Sequence, residues 1–330
     1  MSNQSRVTEF LLHGFSDTQG LKAFHVTVFL SIYLVASVEN LLIITLILYN
    51  PQLHKPMYFF LVNLAFQDLG SISVTVPKSV ANALTSTKTI SYAGCICQVF
   101  VFLFFTVSHF ILLGVMAYDR YTAICNPLHY ETVMNMKACC QMVTGAWIGG
   151  LAYSIVYTGN AFTMTFCSND IKQFFCEIPQ LFKIACSDSY RTVLWVILAG
   201  ASVAFIYLLL IICSYVQIFR AVLRIPSTQG KQKAFSTCLP HLIVIVLYFL
   251  SGSFAYLRPI SRSPSIMDLL ISMLYCMVPP VMNPLIYSIR NKDIKMTFWK
   301  LISNLCPRSY TIMTGQSVGN GLIFFKRHFK

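Results

Sequence analysis

At the end of a long apolar segment, residues 116–125 of the chain read MAYDRYTAIC. The window before its charges, Val99 to Tyr118, contains no Lys, Arg, Asp or Glu and has 20 residues. As a helix rising 1.5 Å per residue, such a window crosses a bilayer core about 30 Å thick. The charges begin at Asp119 and Arg120, where an Asp-Arg pair at a membrane boundary is costly to keep. Because an arginine fork can exchange carboxylate partners between helices, the stretch indicates a membrane span ending in a functional pair.

The composition of the whole chain extends this interpretation. Of 330 residues, 56% are apolar and 11% are charged, against about a quarter charged in soluble domains. This composition is a poor fit to a disordered chain, a coiled coil, collagen or a small disulfide-rich secreted domain. The apolar runs are continuous and do not alternate, so they predict helices and not barrel strands. The sequence thus predicts an all-α bundle of seven membrane spans, at Phe24–Leu48, Met57–Val76, Val99–Tyr118, Cys139–Gly159, Val193–Phe219, Ala234–Leu257 and Met267–Ser288.

The distribution of basic residues predicts the orientation of the bundle. With the N-terminus outside, 15 of the 24 Lys and Arg residues fall on the inner side and 9 on the outer side, as the positive-inside rule requires. Residues 1–23 then form an extracellular tail without the pattern of a cleaved signal peptide, 24–290 the transmembrane domain and 291–330 a cytoplasmic helix and tail. The sequon at Asn3 is a glycosylation candidate in this orientation. The net charge of +13 is interpreted as an orientation signal, and no nucleic-acid partner is expected.

Four of the twelve cysteines lie on the outer side in this topology: Cys95 before the third span, and Cys167, Cys176 and Cys186 between the fourth and fifth. An even number on the oxidising side favours two disulfides, with three possible pairings. We favour Cys95–Cys176 with Cys167–Cys186, because the first bond attaches the loop to the bundle mouth. The other pairings stay open, and Cys97 is a nearby competitor.

The last predicted span contains a polar and deformable segment. Pro284 removes a backbone hydrogen bond, and Asn283 brings an amide into the bundle. Asp68 in the second span and Asn40 in the first are the expected buried partners of Asn283. These three side chains form the predicted polar network.

Several long strings in the same order resemble those of the olfactory receptors, a branch of the rhodopsin-like (class A) G protein-coupled receptors. The resemblance covers roughly residues 5–305. Its strings are LHKPMYFFL at 53–61, MAYDRYTAIC at 116–125, Ser214-Tyr215, KAFSTC at 233–238 with His241, PLIYS at 284–288 and Arg290-Asn291. The triple-cysteine second outer loop is also similar to that of this family.

The resemblance implies a pocket for a small odorant in the outer half of the bundle. Projection by helical turns from Asp119 selects one face of the third span, and the other spans supply the opposite wall, including Ala199. An apolar lining with a few hydroxyls suits volatile, weakly polar molecules, and without a third-span aspartate a biogenic amine is not expected. The predicted lining residues are Phe102, Leu103, Thr106, Val107, Val203, Gly252, Ser253, Tyr256, Met273 and Cys276.

The resemblance also implies activation of a heterotrimeric G protein of the stimulatory, olfactory type at the plasma membrane, which raises cAMP. Ligand and G protein would favour the same state of the bundle, in which the inner ends of the helices have separated. In this state Arg120 leaves Asp119 and joins Tyr215 and Tyr287. Arg120, the loop at 127–134 and the inner ends at 220–233 would contact the G protein. The residues assigned to coupling and activation are Asp119, Arg120, Tyr121, Tyr215, His241, Asn283, Pro284 and Tyr287.

For the polar network of Asn40, Asp68 and Asn283, the resemblance implies a water and sodium site, with a purely structural cluster as the alternative. No other metal site, cofactor or catalytic residue is expected, and His109 and His241 have no partners at metal-ligand spacing. After Arg290, apolar residues recur at helical spacing among lysines and predict a short amphipathic helix on membrane lipids. They are Ile294, Phe298 and Leu301, with Cys306 as a palmitoylation candidate.

The chain departs from the family pattern at several positions. Glu39 stands where a glycine usually precedes Asn40, which places a carboxylate at bilayer depth. Where the family often has a serine before the histidine of the sixth span, this chain has Pro240 before His241. The stretch that resembles the family's Phe-Tyr-Gly reads Tyr248-Phe249-Leu250. The tail from 306 to 330 is longer than family members usually have.

Three other functions are alternatives. A class A receptor for another small molecule, expressed outside the nose, has the same motifs. A transporter would need charged residues along a path and an internal repeat, whereas Glu39 and Asp68 are the acids well inside the predicted spans and no repeat is found. An enzyme would need a nucleophile elbow, metal spacing or phosphate loop, and none occurs.

Overall fold

The computed structural model describes residues 7–13, 18–186, 190–257, 266–290 and 292–305. Within these residues, seven helices are long and apolar enough to cross a membrane, which confirms the predicted seven-helix bundle. Three shorter helices lie between or after them. In chain order the helices are α1 (Gln19–Tyr49), α2 (Pro56–Thr85), α3 (Tyr92–Cys125), α4 (Tyr130–Val133), α5 (Met136–Phe162), α6 (Ile178–Ile184), α7 (Tyr190–Arg224), α8 (Thr228–Leu257), α9 (Ile266–Arg290) and α10 (Lys292–Leu305).

Each long helix extends beyond its predicted window at one end or both. The first helix starts at Gln19 and not at Phe24, so part of the expected tail is helical. Capping residues explain other early starts. The Ser91 side chain accepts a hydrogen bond from a backbone N–H in the first turn of α3, and the Asn135 side chain does the same for α5. Pro56 at the first position of α2 has no backbone N–H that would need a partner.

The inner half of the bundle is packed around α3. Leu112, Leu113 and Met116 of this helix are fully buried, and they belong to one apolar cluster with Leu64 of α2 and Ile218 of α7. Leucine, isoleucine and methionine in close contact give the interior its dispersion energy. The helix that carries the Asp-Arg pair is therefore held by neighbours on several sides.

At the predicted outer end, the chain forms a small sheet that the sequence analysis did not predict. Its strands are β1 (Glu9–Leu12), β2 (Thr89–Ser91) and β3 (Asp170–Ile171), in the order β2-β1-β3. β1 is antiparallel to β2 and parallel to β3. Strands of two to four residues are too short to show alternation in the sequence. The sheet brings the N-terminal tail onto the outer loops, with Phe10 fully buried.

At the inner end, α10 makes polar contacts with α2 and with Asn50, the residue that follows α1. The Tyr58 hydroxyl donates to Asp293 Oδ2 at 2.9 Å, and Asn50 Nδ2 donates to Thr297 Oγ1 at 2.8 Å. Ile294 is buried and Phe298 packs against the inner cluster. The short helix predicted after Arg290 therefore exists as α10. Its contact with lipid remains a prediction, and the Leu301 side chain, Asn3, Cys306 and the tail lie outside the described residues.

Candidate functional site

Two disulfides hold the loop between α5 and α7 at the outer end of the bundle. They join Cys95 to Cys176 and Cys167 to Cys186, which is the favoured pairing, and Cys97 is free. The backbone N–H of Cys176 also donates to Gln98 Oε1 at 2.8 Å, so the loop is attached to α3 at two points. The residues next to Cys176 are consequently placed above the bundle interior.

An aromatic cluster lies directly beneath this attachment. The rings of Phe102 on α3, Phe175 on the loop and Tyr275 on α9 contact one another, with centroids 5.5 to 6.3 Å apart. Phe174 extends the cluster toward Phe29 of α1, at centroid distances of 4.8 and 5.0 Å. Three of these ring pairs are edge-to-face and two are tilted, and edge-to-face rings at such distances attract through their quadrupoles. The cluster gives the outer half of the bundle a buried aromatic wall.

Next to the aromatic cluster, the carboxylate of Glu177 is buried. It accepts hydrogen bonds from the Tyr275 hydroxyl and from Ser272 Oγ, the latter at 3.1 Å. Burial raises the pKa of Glu177 to about 7, although the hydrogen bonds from Tyr275 and Ser272 act against this rise. The loop is thereby joined to α9 through a group that titrates near neutral pH.

Two further contacts join the same loop to α9. Lys183 Nζ lies 3.3 Å from Asp268 Oδ2, and Gln173 Nε2 donates to Ser272 Oγ at 2.7 Å. We call the contacts of Gln173, Glu177 and Lys183 with α9 the loop clasp. Since Tyr275 belongs to both the clasp and the aromatic cluster, the clasp also fixes one ring of the wall.

The loop clasp is expected to weaken as the pH rises. A carboxyl whose pKa goes from 4.5 to about 7 on folding stabilises the closed clasp fully below pH 4.5 and loses this contribution as pH rises through 7. Amide hydrogen exchange of residues 172–184, corrected for the intrinsic pH effect, should be slower at pH 6 than at pH 8. A Glu177→Gln receptor should lose this difference, and a difference that persists unchanged in the variant would reject the assignment.

The structure brings only part of the predicted lining together. Phe102 lies in the aromatic cluster, and Met273 packs partly buried against it. Thr106, Val107, Gly252 and Ser253 are partly buried, and the Tyr256 side chain lies outside the described residues. Placement of these residues around a ligand remains a prediction.

Three expected orientations toward the pocket are wrong. Val203 is 62% exposed and Ala199 is also exposed, so both lie on the outer surface of α7. At about 100° per residue, Val203 is rotated by about 120° from the buried Tyr215 on the same helix. Cys276 faces α2, because its Sγ lies 3.0 Å from Thr75 Oγ1.

Leu103 differs from its neighbour Phe102 on α3. It is buried in a separate apolar cluster with Cys95, Cys176 and Tyr157, between α3, α5 and the loop. Leu103 therefore packs against the Cys95–Cys176 disulfide. This position does not favour a direct contact with the ligand.

In the middle of the bundle, the predicted polar network has one more member. Asn283 Nδ2 donates to Asp68 Oδ2 at 2.9 Å, as expected, but His109 Nδ1 lies 3.4 Å from Asp68 Oδ1. The His109 ring stacks on Tyr248, with centroids 4.7 Å apart. Asn40 instead donates to the backbone oxygens of Ala36 and Pro280 at 2.8 and 2.9 Å. The network therefore joins α2, α3, α8 and α9, and Asn40 lies beside it.

At the inner end, the Asp-Arg pair has an additional partner. Arg120 Nε is 3.9 Å from Asp119 Oδ2, while the Tyr130 hydroxyl of α4 donates to Asp119 Oδ1 at 2.8 Å. Burial and the nearby Asp119 carboxylate raise the pKa of Tyr130, so its hydroxyl keeps the donated proton. The loop after α3 is thus attached to the carboxylate that neighbours Arg120.

The other motif tyrosines and histidine also meet at this end. The Tyr215 hydroxyl and His241 Nδ1 share a hydrogen bond at 2.5 Å between α7 and α8. Among the described residues, the buried Tyr287 hydroxyl and Arg120 Nε have no hydrogen-bond partner. Pro284 is buried in the interior of α9, and Tyr121 is partly buried against the inner cluster. The arrangement leaves donors and acceptors of three helices close to Arg120.

Comparison with known proteins identifies the family. The family model described as "Olfactory receptor" matches residues 29–305. The chain belongs to the olfactory receptor family. Among human proteins, it is 47% identical to olfactory receptor 14A16 over 303 residues, which is 92% of this chain and 98% of that protein. It is 48% identical to human olfactory receptor 14I1 over 303 residues, covering 91% and 97% of the two chains.

The fold of this olfactory receptor family member also matches a solved structure. The crystal structure of squid rhodopsin aligns with a TM-score of 0.69 at 17% identity, covering 90% of this chain and 89% of the rhodopsin chain. Membership of the olfactory receptors makes the chain a multi-pass, rhodopsin-like G protein-coupled receptor, which is a signalling protein and not an enzyme.

A carboxylate lies on α1, within the first membrane-spanning helix. Glu39 is partly buried, and its Oε2 has no hydrogen-bond partner among the described residues. A carboxylate near the middle of a span costs about 2.5–3.5 kcal/mol on insertion scales.

Removal of this carboxylate is expected to increase delivery to the cell surface. Glu39→Gly and Glu39→Gln should each give more surface receptor by antibody staining of an N-terminal tag, relative to total receptor. The glutamine variant separates the effect of charge from that of side-chain size. Equal surface fractions for all three receptors would show that Glu39 is tolerated.

Proposed function

We propose that the chain is an odorant receptor of the plasma membrane. It binds small, volatile, weakly polar molecules in the outer half of the bundle and activates a stimulatory G protein, which raises cAMP. The observation that supports this proposal most is the buried aromatic cluster of Phe102, Phe175 and Tyr275 beneath a disulfide-attached loop, in a member of the olfactory receptor family.

The chemistry of the outer half favours apolar ligands. Aromatic rings offer a large contact area, and binding sites for small molecules are typically apolar with a few orienting polar groups. The nearby carboxylate of Glu177 already accepts hydrogen bonds from Ser272 and Tyr275, so it is not presented to a cationic ligand. The partly buried Ser253 is a candidate for the orienting hydroxyl.

The path from ligand to G protein follows α3. Phe102 lies near its outer end and Arg120 near its inner end, on one continuous helix. We infer that the described arrangement is the resting state, because Arg120 lies beside Asp119 and the Tyr215 hydroxyl is bound to His241. In the active state, α7 and α8 move so that Arg120 leaves Asp119 and bonds to Tyr215 and Tyr287. A ligand that binds this state more tightly shifts the population toward it.

The G protein would dock on the inner ends of these helices. Arg120, the loop at 127–134 with α4, and the basic ends of α7 and α8 at 220–233 form this surface. Basic side chains there attract an acidic partner and speed association. Opening of the bundle would add the newly exposed inner faces of α7 and α8 to the contact.

The proposal is tested by a cAMP screen. Cells that express the chain with a stimulatory, olfactory-type α subunit are exposed to volatile compounds, with surface staining in the same cells. A concentration-dependent rise in cAMP is expected for weakly polar volatiles. Silence across a broad panel at normal surface density, or responses limited to charged ligands, would contradict the proposal.

For an active volatile, Phe102→Ala is expected to raise the half-maximal concentration by about tenfold, which corresponds to about 1.4 kcal/mol of lost aromatic contact. The matched control is Val203→Ala, which shortens an apolar side chain on the outer surface of α7 and should leave potency unchanged. Equal shifts in both variants would reject the placement of the pocket.

A further inference from the structure

The polar network around Asp68 can be tested as a site for the sodium ion that the family resemblance implies. A sodium site needs several oxygen ligands directed at one point, at least one of them charged. Asp68 is the carboxylate at the centre of the network, and both of its oxygens are approached by nitrogen atoms. Asn283 Nδ2 lies 2.9 Å from Oδ2 and His109 Nδ1 lies 3.4 Å from Oδ1.

The remaining predicted ligand, Asn40, offers one amide oxygen, because its Oδ1 is buried and has no hydrogen-bond partner among the described residues. Asn40 donates its amide hydrogens to the backbone oxygens of Ala36 and Pro280, which attaches it to α1 and α9. One amide oxygen beside a carboxylate whose two oxygens both face nitrogen atoms does not make a sodium site.

We propose that the His109 imidazole takes the place of the cation as the partner of Asp68, so that the receptor's stability and its resting state do not depend on sodium. The amide nitrogen of Asn283, Nδ2, can only donate and lies 3.5 Å from His109 Nε2, so the ring proton is assigned to Nδ1. This assignment places the positive end of the imidazole dipole 3.4 Å from Asp68 Oδ1, where a cation would bind. A sodium ion at this point would meet N–H hydrogens of both His109 and Asn283, which repel it.

The surroundings keep the imidazole in this position. Its ring is parallel to the Tyr248 ring, with an interplanar angle of 3°. Tyr248 is itself held, because its hydroxyl donates to the Thr106 carbonyl at 2.6 Å. His109 Nε2 also lies 3.5 Å from Asn283 Nδ2, so both ring nitrogens face members of the network. Movement of the imidazole away from Asp68 would break its contacts with Tyr248 on α8 and Asn283 on α9.

The proposal is tested by thermal unfolding of the purified full-length receptor in lipid nanodiscs, in sodium chloride and in choline chloride at equal ionic strength. The wild-type midpoint is expected to be the same in both salts. A bound ion at about a hundredfold excess over its Kd would raise the midpoint by several degrees, in a saturable manner. Such a rise in the wild-type receptor would overturn the proposal.

A variant tests whether His109 is the residue that excludes sodium. His109→Glu places a second carboxylate beside Asp68 and should introduce a sodium-dependent rise of the midpoint. His25→Glu is the matched control, since His25 is buried between α1 and α2 on Ser79 and should give no such dependence. A folded His109→Glu receptor without sodium dependence would overturn the proposal.

If His109→Glu does not fold, a double-mutant cycle with Asp68→Asn and His109→Gln tests whether His109 and Asp68 are partners. If the two side chains interact, the decrease in the unfolding midpoint of the double variant should be smaller than the sum of the decreases of the two single variants. Additive losses would show that His109 is not the partner of Asp68. None of these measurements needs a ligand or a G protein, so they are independent of the proposed odorant function.

Discussion

Replacement of Arg120 by alanine is expected to abolish G protein activation while leaving the receptor at the cell surface. Arg120 lies beside Asp119 at 3.9 Å, and its Nε has no hydrogen-bond partner among the described residues. In its absence the Tyr130 hydroxyl still donates to Asp119, so the buried carboxylate keeps one partner and the variant is expected to reach the surface. In the active state, the same guanidinium would bond to Tyr215 and Tyr287. Loss of these bonds should reduce the maximal cAMP response by at least about tenfold, within the usual range of coupling free energies.

The Arg120 prediction has two matched comparisons. Lys137→Ala removes one exposed positive charge at the start of α5, outside the proposed docking surface, and should leave the response intact. Arg120→Lys keeps the charge but loses the planar fork, so it should resemble the alanine variant. A full response from Arg120→Ala at equal surface staining would show that signalling does not pass through this residue.

Loss of the disulfide between Cys95 and Cys176 is expected to prevent folding or surface delivery. The bond closes a long loop, with a sequence separation of 81 residues, and both cysteines are fully buried. Chain-entropy arguments assign about 4–5 kcal/mol to a loop of this length, which is a large part of a typical folding free energy. Cys176→Ser should therefore leave little receptor at the surface.

Cys97→Ser is the matched control for this second prediction. Cys97 lies two residues from Cys95 on the same helix but is free and exposed, so its loss should leave surface staining at the wild-type level. The quantity to measure is the ratio of surface to total receptor by flow cytometry. Normal delivery of Cys176→Ser, or an equal loss for Cys97→Ser, would contradict the assigned pairing.

The spans could be predicted because a bilayer imposes length and composition on each of them. Their ends could not, because capping by side chains such as Ser91 and Asn135 is a local hydrogen-bonding event beyond the apolar window. The outer sheet was missed for another reason. Its strands come from three distant parts of the chain, and a segment as short as Glu9–Leu12 carries no pairing information of its own.

The motif residues were found because they stand in long, ordered strings. Whether a residue of a helix faces the pocket depends on how that helix is rotated about its axis, which the sequence does not determine. Val203, predicted to face the interior, is therefore found on the surface. Glu177 and Phe175 were missed because the disulfide at Cys176 determines where the loop places them. An aromatic pair directly before a cysteine that is tied to the bundle was the available signal.

His109 shows a second limit of sequence reasoning. Its partner Asp68 is on another helix, 41 positions earlier in the chain, and no spacing rule relates the two. The sequence offered no sign that the imidazole would complete the polar network. Such a contact depends on the depth of both residues in the assembled bundle.

The most direct test of the account is ligand-stimulated exchange of GDP for GTP on a purified stimulatory G protein by this receptor in lipid nanodiscs. With an active volatile, the exchange rate should rise with ligand concentration in the wild type. It should rise to the same maximum at about tenfold higher concentration in Phe102→Ala, and stay at the basal rate in Arg120→Ala. An exchange rate that does not respond to ligand in the wild type, or that rises equally in Arg120→Ala, would contradict the account.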